Sequence, residues 1–293
     1  MKQINLKGMG VALVTPFESN RKIDYSALER IVDFQLQNET DYLVILGTTA
    51  ETPALDPEEQ KEIIRRVTAQ VKGKVPLVLG CGGNDTRSVV RKLETGDFTG
   101  IDAILSVVPY YNKPSQEGIY RHYRQIVYAS PLPVILYNVP SRTGVNMSAE
   151  TTLRIAREWD KVIAIKEASG NITQVSAILK DKPEDFQVVS GDDATTLPLI
   201  ALGAEGVISV IGNAFPAEFG RMVRLALAGD YAPARDIHYR FTELFELLSV
   251  DGNPAGVKSV LNALGYIENE LRLPLVPAQK ATCERIRQAL RRH

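Results

Sequence analysis

Eight short, nearly continuous apolar runs recur along the chain, and no other feature constrains its fold so strongly. They are Val11 to Val14, Tyr42 to Leu46, Pro76 to Leu79, Ala103 to Val107, Val134 to Tyr137, Val162 to Lys166, Gln187 to Ser190 and Gly206 to Val210. A strand with one wet face alternates apolar and polar residues. A strand buried on both faces does not, and parallel sheets use the second kind. Amphipathic helical patterns separate most of the runs. Asp24 is placed to cap a helix whose Leu28, Ile31, Val32 and Leu36 share one face. Asp56 is placed to cap another, with Pro57 at its first position and Glu58 and Glu59 in its first turn. Further helices are expected at Gln116 to Tyr128, Ala149 to Trp159, Ile172 to Leu179, Thr196 to Leu202 and Pro216 to Ala228, with a weaker pattern after Thr86.

Strand starts follow one another at roughly 20–35 residues, the length of a βα unit. Eight units in succession predict an α/β fold, a closed (β/α)8 TIM barrel over residues 1–228. The runner-up is an open doubly wound sheet. That fold often carries a Gly-rich phosphate loop after its first strand, where this chain has Thr15-Pro16-Phe17. Past Ala228 the β-like runs stop. Tyr231 to Leu248, Gly256 to Leu264 and Pro277 to Leu290 read as helices, so residues 229–293 are expected as a C-terminal helical extension packed on the barrel.

Composition narrows the function. Lys and Arg number 34 against 35 Asp and Glu, a net charge of −1, which leaves no basic footprint for nucleic acid or an anionic membrane. Cys81 and Cys283 lie far apart without metal-ligand spacing, so a disulfide framework is not expected and a reducing, cytoplasmic setting is. No run is long enough to span a bilayer, and MKQINLKGMG lacks the apolar centre of a signal peptide. The only histidines are His122, His238 and His293, too few to favour zinc hydrolysis or a Ser-His-Asp triad. His122 and His238 fall in expected helices and read as packing or surface residues. Gly80-Cys81-Gly82-Gly83 follows a strand, but Asp85 stands where a dinucleotide fingerprint needs glycine, and no Walker A loop occurs. No cofactor is expected. Asp192-Asp193 reads more simply as helix capping than as a metal pair, and no metal is expected.

A barrel builds its active site where strands end. Lys166 closes the run Val162-Ile163-Ala164-Ile165. An amine facing a barrel mouth loses hydration, which favours the neutral form that attacks carbonyls. The competing reading is a structural lysine paired with Glu51 or Glu167. Tyr137 ends the neighbouring run, close enough to serve the same small substrate as proton donor and acceptor, or simply to pack at the rim. Thr48 and Thr49 follow Gly47 at another strand end. Their N–H groups suit a carboxylate and their hydroxyls a proton transfer, although polar turn residues are common there. Arg142, in the loop after the fifth run, could clamp a second carboxylate or lie idle on the surface.

At these residues the sequence resembles the dihydrodipicolinate synthase family of the N-acetylneuraminate lyase superfamily. The matching motifs, nearly spanning the chain, are GTTAETP from Gly47, VPYYNKPSQEG from Val108, LYNVPSRTG from Leu136, IKEASGN from Ile165, SGDD from Ser190 and GVISV from Gly206. The resemblance implies condensation of pyruvate with L-aspartate 4-semialdehyde in the diaminopimelate route to lysine, by a homotetramer built of tight dimers. It makes Lys166 the imine-forming residue and Tyr137, Thr48 and Tyr111 a proton relay, with Tyr111 reaching across the dimer into the partner's site. It gives the pyruvate carboxylate to Thr48 and Thr49, the semialdehyde carboxylate to Arg142, and a lining role through backbone carbonyls to Gly191 and Ile208. Two rivals remain: a pyruvate-dependent sugar-acid aldolase of the same superfamily, which the family pattern distinguishes by lacking an Arg at position 142, and a non-catalytic barrel that binds a keto acid. The chain departs from the family pattern at Ala50, usually Gly, which is tolerable unless that position needs positive φ. It departs again at Pro57, Gln60 and Ser88, where lysine-sensitive relatives carry basic or acidic groups. Asn84 and Tyr110 match, but the charged partner for a lysine ammonium is missing, so weak or absent lysine inhibition is expected.

Overall fold

Strands that are apolar on both faces need cover on both sides, and a closed barrel wrapped in helices supplies it. The computed structural model describes residues 4–293, so the first three residues of the 1–228 segment lie outside it. The strands are β1 (Gly8–Ala12), β2 (Tyr42–Ile45), β3 (Leu77–Gly80), β4 (Ala103–Val107), β5 (Val134–Asn138), β6 (Val162–Glu167), β7 (Gln187–Ser190) and β8 (Gly206–Ser209). They pair in sequence order, all parallel, and β8 closes on β1. The open doubly wound alternative is thereby excluded.

Between strands lie α1 (Tyr25–Gln37), α2 (Pro57–Val71), α3 (Thr86–Thr95), α4 (Gln116–Ala129), a single turn α5 (Pro140–Thr143), α6 (Ala149–Glu158), α7 (Ile172–Asp181) and α8 (Thr196–Ala201), with α9 (Pro216–Leu227) after β8. Their starts obey local chemistry. The Asp24 carboxylate accepts from Ala27 N–H at the head of α1, and Asp56 and Glu59 form a reciprocal capping box on α2. Asp85, Ser115, Ser148 and Asn171 cap α3, α4, α6 and α7 in the same way.

Strand parity divides the core in two. Inward residues such as Tyr42, Val44, Val78, Leu105, Ile135, Tyr137, Ala164, Val189 and Ile208 fill the barrel. Their outward neighbours Leu43, Ile45, Leu77, Ile104, Leu136, Ile165, Val188 and Val207 pack under the helices. Beyond α9, α10 (Tyr231–Val250), α11 (Ala255–Ala263) and α12 (Lys280–Leu290) pack on the barrel's helices and on one another.

The first strand lies earlier than its apolar run suggests, at Gly8–Ala12 instead of Val11 to Val14. Its first two inward positions, Gly8 and Gly10, are glycines because the barrel floor is already occupied. A Cβ on Gly10 would lie 2.0 Å from the Tyr42 ring. The Tyr42 ring fills that space, and its hydroxyl donates to Val207 O at 3.1 Å.

Candidate active site

The register of β5 and β6 sets the chemistry. Val134 pairs with Val162, but Ile135 pairs with Ala164, so Ile163 is an extra residue. The bulge brings Lys166 level with Tyr137, both on inward positions. Without it, the outward Ile165 would sit opposite Tyr137. The Lys166 ammonium lies 4.4 Å from the centre of the Tyr137 ring, and the two residues are 5% and 6% exposed.

Neither carboxylate of the competing reading takes Lys166. Glu51 pairs with Lys258. Glu167 accepts from Asn138 Nδ2, Gln174 Nε2 and Ser169 N–H. Lys166 instead faces a cavity of roughly 590 Å³ at the C-terminal end of the strands. Thr48, Thr49, Tyr137, Arg142, Lys166 and Gly191 all line it. Gly191 is required by close approach. A Cβ there would lie 2.7 Å from Ala168 Cβ and 3.0 Å from Lys166 Cε.

Thr48 and Thr49 begin a 3₁₀ turn, Thr48–Ala50. Ala50 N–H and Glu51 N–H close that turn on Gly47 O and Thr48 O. The first N–H groups of such a turn have no partner within it and suit an anion. Thr15 Oγ1 donates to Ala50 O at 2.8 Å and holds the turn to the end of β1. Ala50 is not among the positive-φ residues, so its methyl group meets the condition set by the sequence. Arg142 lies on α5, a single helical turn where a loop is expected from the sequence, and its guanidinium donates to Asn253 O at 3.1 Å.

Two sequence-derived residues are not in this cavity lining. Ile208 is wholly buried on β8 among the barrel interior. Tyr111 is 86% exposed, with a left-handed φ of 72°. Other lining residues escaped the sequence reading. His238, Thr242, Glu246 and Ser249 present one face of α10 to the cavity, and Asn253 closes it between Thr49 and Arg142. Asn253 Nδ2 donates to Thr49 Oγ1 at 2.9 Å, while its Oδ1 is buried without a partner. Thus His238 is a cavity residue, not only a packing one, and burial lowers its pKa. The helical spacing 238, 242, 249 of polar residues on α10 was the available signal. Asp193 also borders the cavity. It does not cap α8, whose N-cap is Thr195 without a side-chain bond. Its Oδ2 instead accepts from Val210 and Ile211 N–H just past β8, and burial pushes its carboxyl up to about 6. Among the described residues, no group of His, Cys, Asp and Glu is arranged to hold a metal ion.

An amine buried without an ion-pair partner among the described residues, a phenol beside it, hydroxyls and N–H groups across from it and a guanidinium at the rim suit carbonyl addition to a substrate that carries carboxylates. The chain matches the Dihydrodipicolinate synthetase family over residues 5–293. It is 69% identical over 291 residues to the 4-hydroxy-tetrahydrodipicolinate synthase of Parabacteroides distasonis, covering 99% of this chain and 98% of that one. The enzyme of that name from Phocaeicola vulgatus is 63% identical over 290 residues, with 99% and 98% covered. The dihydrodipicolinate synthase structure from Thermotoga maritima superposes with a TM-score of 0.95 at 40% identity, covering 98% of each chain. The chain belongs to the dihydrodipicolinate synthetase family.

Proposed function

We propose that this site has 4-hydroxy-tetrahydrodipicolinate synthase activity, condensing pyruvate with L-aspartate 4-semialdehyde through a Schiff base on Lys166. The carrying observation is the buried Lys166 amine, free of both neighbouring carboxylates and in contact with Tyr137. The amine attacks the pyruvate ketone to give a carbinolamine. That intermediate loses water, with Tyr137 supplying the proton, and becomes an imine. The Tyr137 oxygen, having given up its proton, takes one from the methyl group as the imine becomes an enamine. The enamine carbon attacks the semialdehyde aldehyde, whose oxygen takes that proton from Tyr137 and becomes a hydroxyl. The substrate's own amine then displaces Lys166, the ring closes, and the enzyme is regenerated. Thr48 and Thr49 receive the pyruvate carboxylate at the turn. Arg142 receives the other carboxylate at the rim, and Gly191 keeps the space Lys166 moves in.

Tyr111 serves the relay only from a partner subunit, a role its exposure outside its own cavity supports. A homotetramer of tight dimers is the assembly that accommodates it. The lining role that the family resemblance gives Ile208 rests on its backbone carbonyl alone, since its side chain is buried in the barrel interior outside the cavity lining. Among the described residues no helix is long and apolar enough to cross a membrane. The cytoplasmic setting rests on the two free cysteines.

Equal consumption of pyruvate and L-aspartate semialdehyde tests this reading. Cleavage of a sugar acid with no such condensation overturns it in favour of the aldolase rival. In the same assay, millimolar lysine is expected to leave turnover unchanged. Ser88 and Gln60 are uncharged, and their polar groups are already engaged by Asp85 and Leu55 O, so neither serves a lysine ligand as an ionic partner. Strong inhibition would contradict that expectation.

Gly191→Ala is expected to fold and to form the pyruvate imine about tenfold more slowly, because its methyl group displaces Lys166. The rate of reductive trapping by borohydride measures this, and an unchanged rate removes the steric argument.

A further inference from the structure

A second lysine is buried more deeply than Lys166 and has no part in the chemistry above. Lys258, on α11, is paired with Glu51, and both side chains are 0% exposed. Its ammonium also donates to Glu270 O at 2.9 Å and lies 4.1 Å from the centre of the Phe17 ring. Glu51 is the residue that ends the Thr48–Ala50 turn. Its backbone is left-handed, with φ 55° and ψ 35°, a conformation that L-residues other than Asn and Asp rarely hold without support.

The Glu51 carboxylate is held from the C-terminal region. One Glu51 carboxylate oxygen faces the Lys258 ammonium. The other accepts from Arg272 N–H at 3.0 Å. Arg272 is itself fixed by a two-pronged pair with Glu59, 2.6 Å on each arm, and by donation to Ala54 O at 2.9 Å. Burial pulls the Lys258 ammonium below the ordinary lysine range, and the Glu51 charge opposes that loss. A buried ion pair is weak evidence for stability, since an apolar pair of similar volume often does as well. What it does supply is one fixed geometry, here at the residue next to the anion-binding turn.

We infer that Lys258 is a positioning residue, whose ammonium holds Glu51 and thereby fixes the Thr48–Thr49 backbone that receives the keto-acid carboxylate. The inference rests on the proposed function, in which that carboxylate binds at Thr48 and Thr49. It makes the helical extension part of the active site's construction and not merely cover for the barrel. Arg142 lies on α5 and, among the described residues, has no hydrogen bond or ion pair with Lys258 or Glu51, so handling of the second carboxylate is largely spared.

The test is Lys258→Met, with Glu51→Gln as a second variant that keeps the side-chain shape should the first fail to fold. Each folded variant is titrated with pyruvate and trapped with borohydride. The expected result is a rise of about tenfold in the pyruvate concentration needed for half-maximal trapping. At saturating pyruvate, Lys166 is still modified, and the KM for the semialdehyde stays within about twofold. The double variant is expected to shift no further than either single one, because the pair acts as a unit. Half-saturation unchanged from the parent protein in a folded variant overturns the inference. Failure of the parent protein itself to trap pyruvate overturns the proposed function instead, so the two failures are distinguishable.

Discussion

Lys166→Ala is expected to lower turnover by at least about a thousandfold and to abolish the covalent pyruvate adduct, while leaving the fold intact. The size follows from what the amine does. Without the imine there is no electron sink for loss of the methyl proton, and the carbon nucleophile is not formed. Tyr137, Thr48 and Arg142 can still gather the substrates, but gathering alone supplies only part of the rate. The side chain fills space beside Tyr137 and Gly191 and carries no ion pair with Glu51 or Glu167, so its truncation strands no buried charge. Steady-state kinetics with both substrates and the thermal unfolding midpoint measured on the same sample check this. Turnover within tenfold of the parent protein would remove Lys166 from the mechanism.

Arg142→Leu is expected to divide the reaction in two. Imine formation with pyruvate proceeds nearly as before, while kcat/KM for the semialdehyde falls about a hundredfold. A charge-assisted hydrogen bond contributes about 1.5–3 kcal/mol, or about 10–150-fold in rate constant, and Arg offers it in a planar fork. Arg142 already stands at the cavity rim, steadied by Asn253 O at 3.1 Å, so little ordering remains to be done when substrate arrives. The loss should appear in KM for the semialdehyde more than in trapping by pyruvate. Equal losses in both would place Arg142 in the support of the cavity and not in recognition.

Much of the fold was legible because parallel strands buried on both faces leave continuous apolar runs, and because Asp24, Asp56 and the other caps mark where helices begin. The first strand was misplaced for a physical reason. Gly8 and Gly10 yield their side-chain space to Asp41 and Tyr42, and glycine carries no strand signal. Position at strand ends pointed to Lys166, Tyr137, Thr48, Thr49 and Arg142 without choosing between chemistry and structure, the family resemblance added Gly191, and all six do meet in one cavity. The bulge at Ile163 was not, since register is a relation between two strands and leaves no mark in either sequence. Asn253 and Lys258 were missed because their partners Thr49 and Glu51 lie about two hundred residues earlier. Asn253 reads locally as a turn residue before Pro254, and Lys258 as one more polar residue on a helix. Tyr111 shows the reverse case: its motif is plain, yet in a single chain it is exposed and does not line the cavity of its own barrel.

The central claim is that one amine at the C-terminal end of β6 forms the imine. Incubation with pyruvate and borohydride, followed by intact mass and peptide mapping, tests it most directly. The expected result is a single reduced pyruvate adduct per chain, on the peptide containing Lys166 and absent from the one containing Lys258. An unmodified chain, or an adduct on any other lysine, contradicts it.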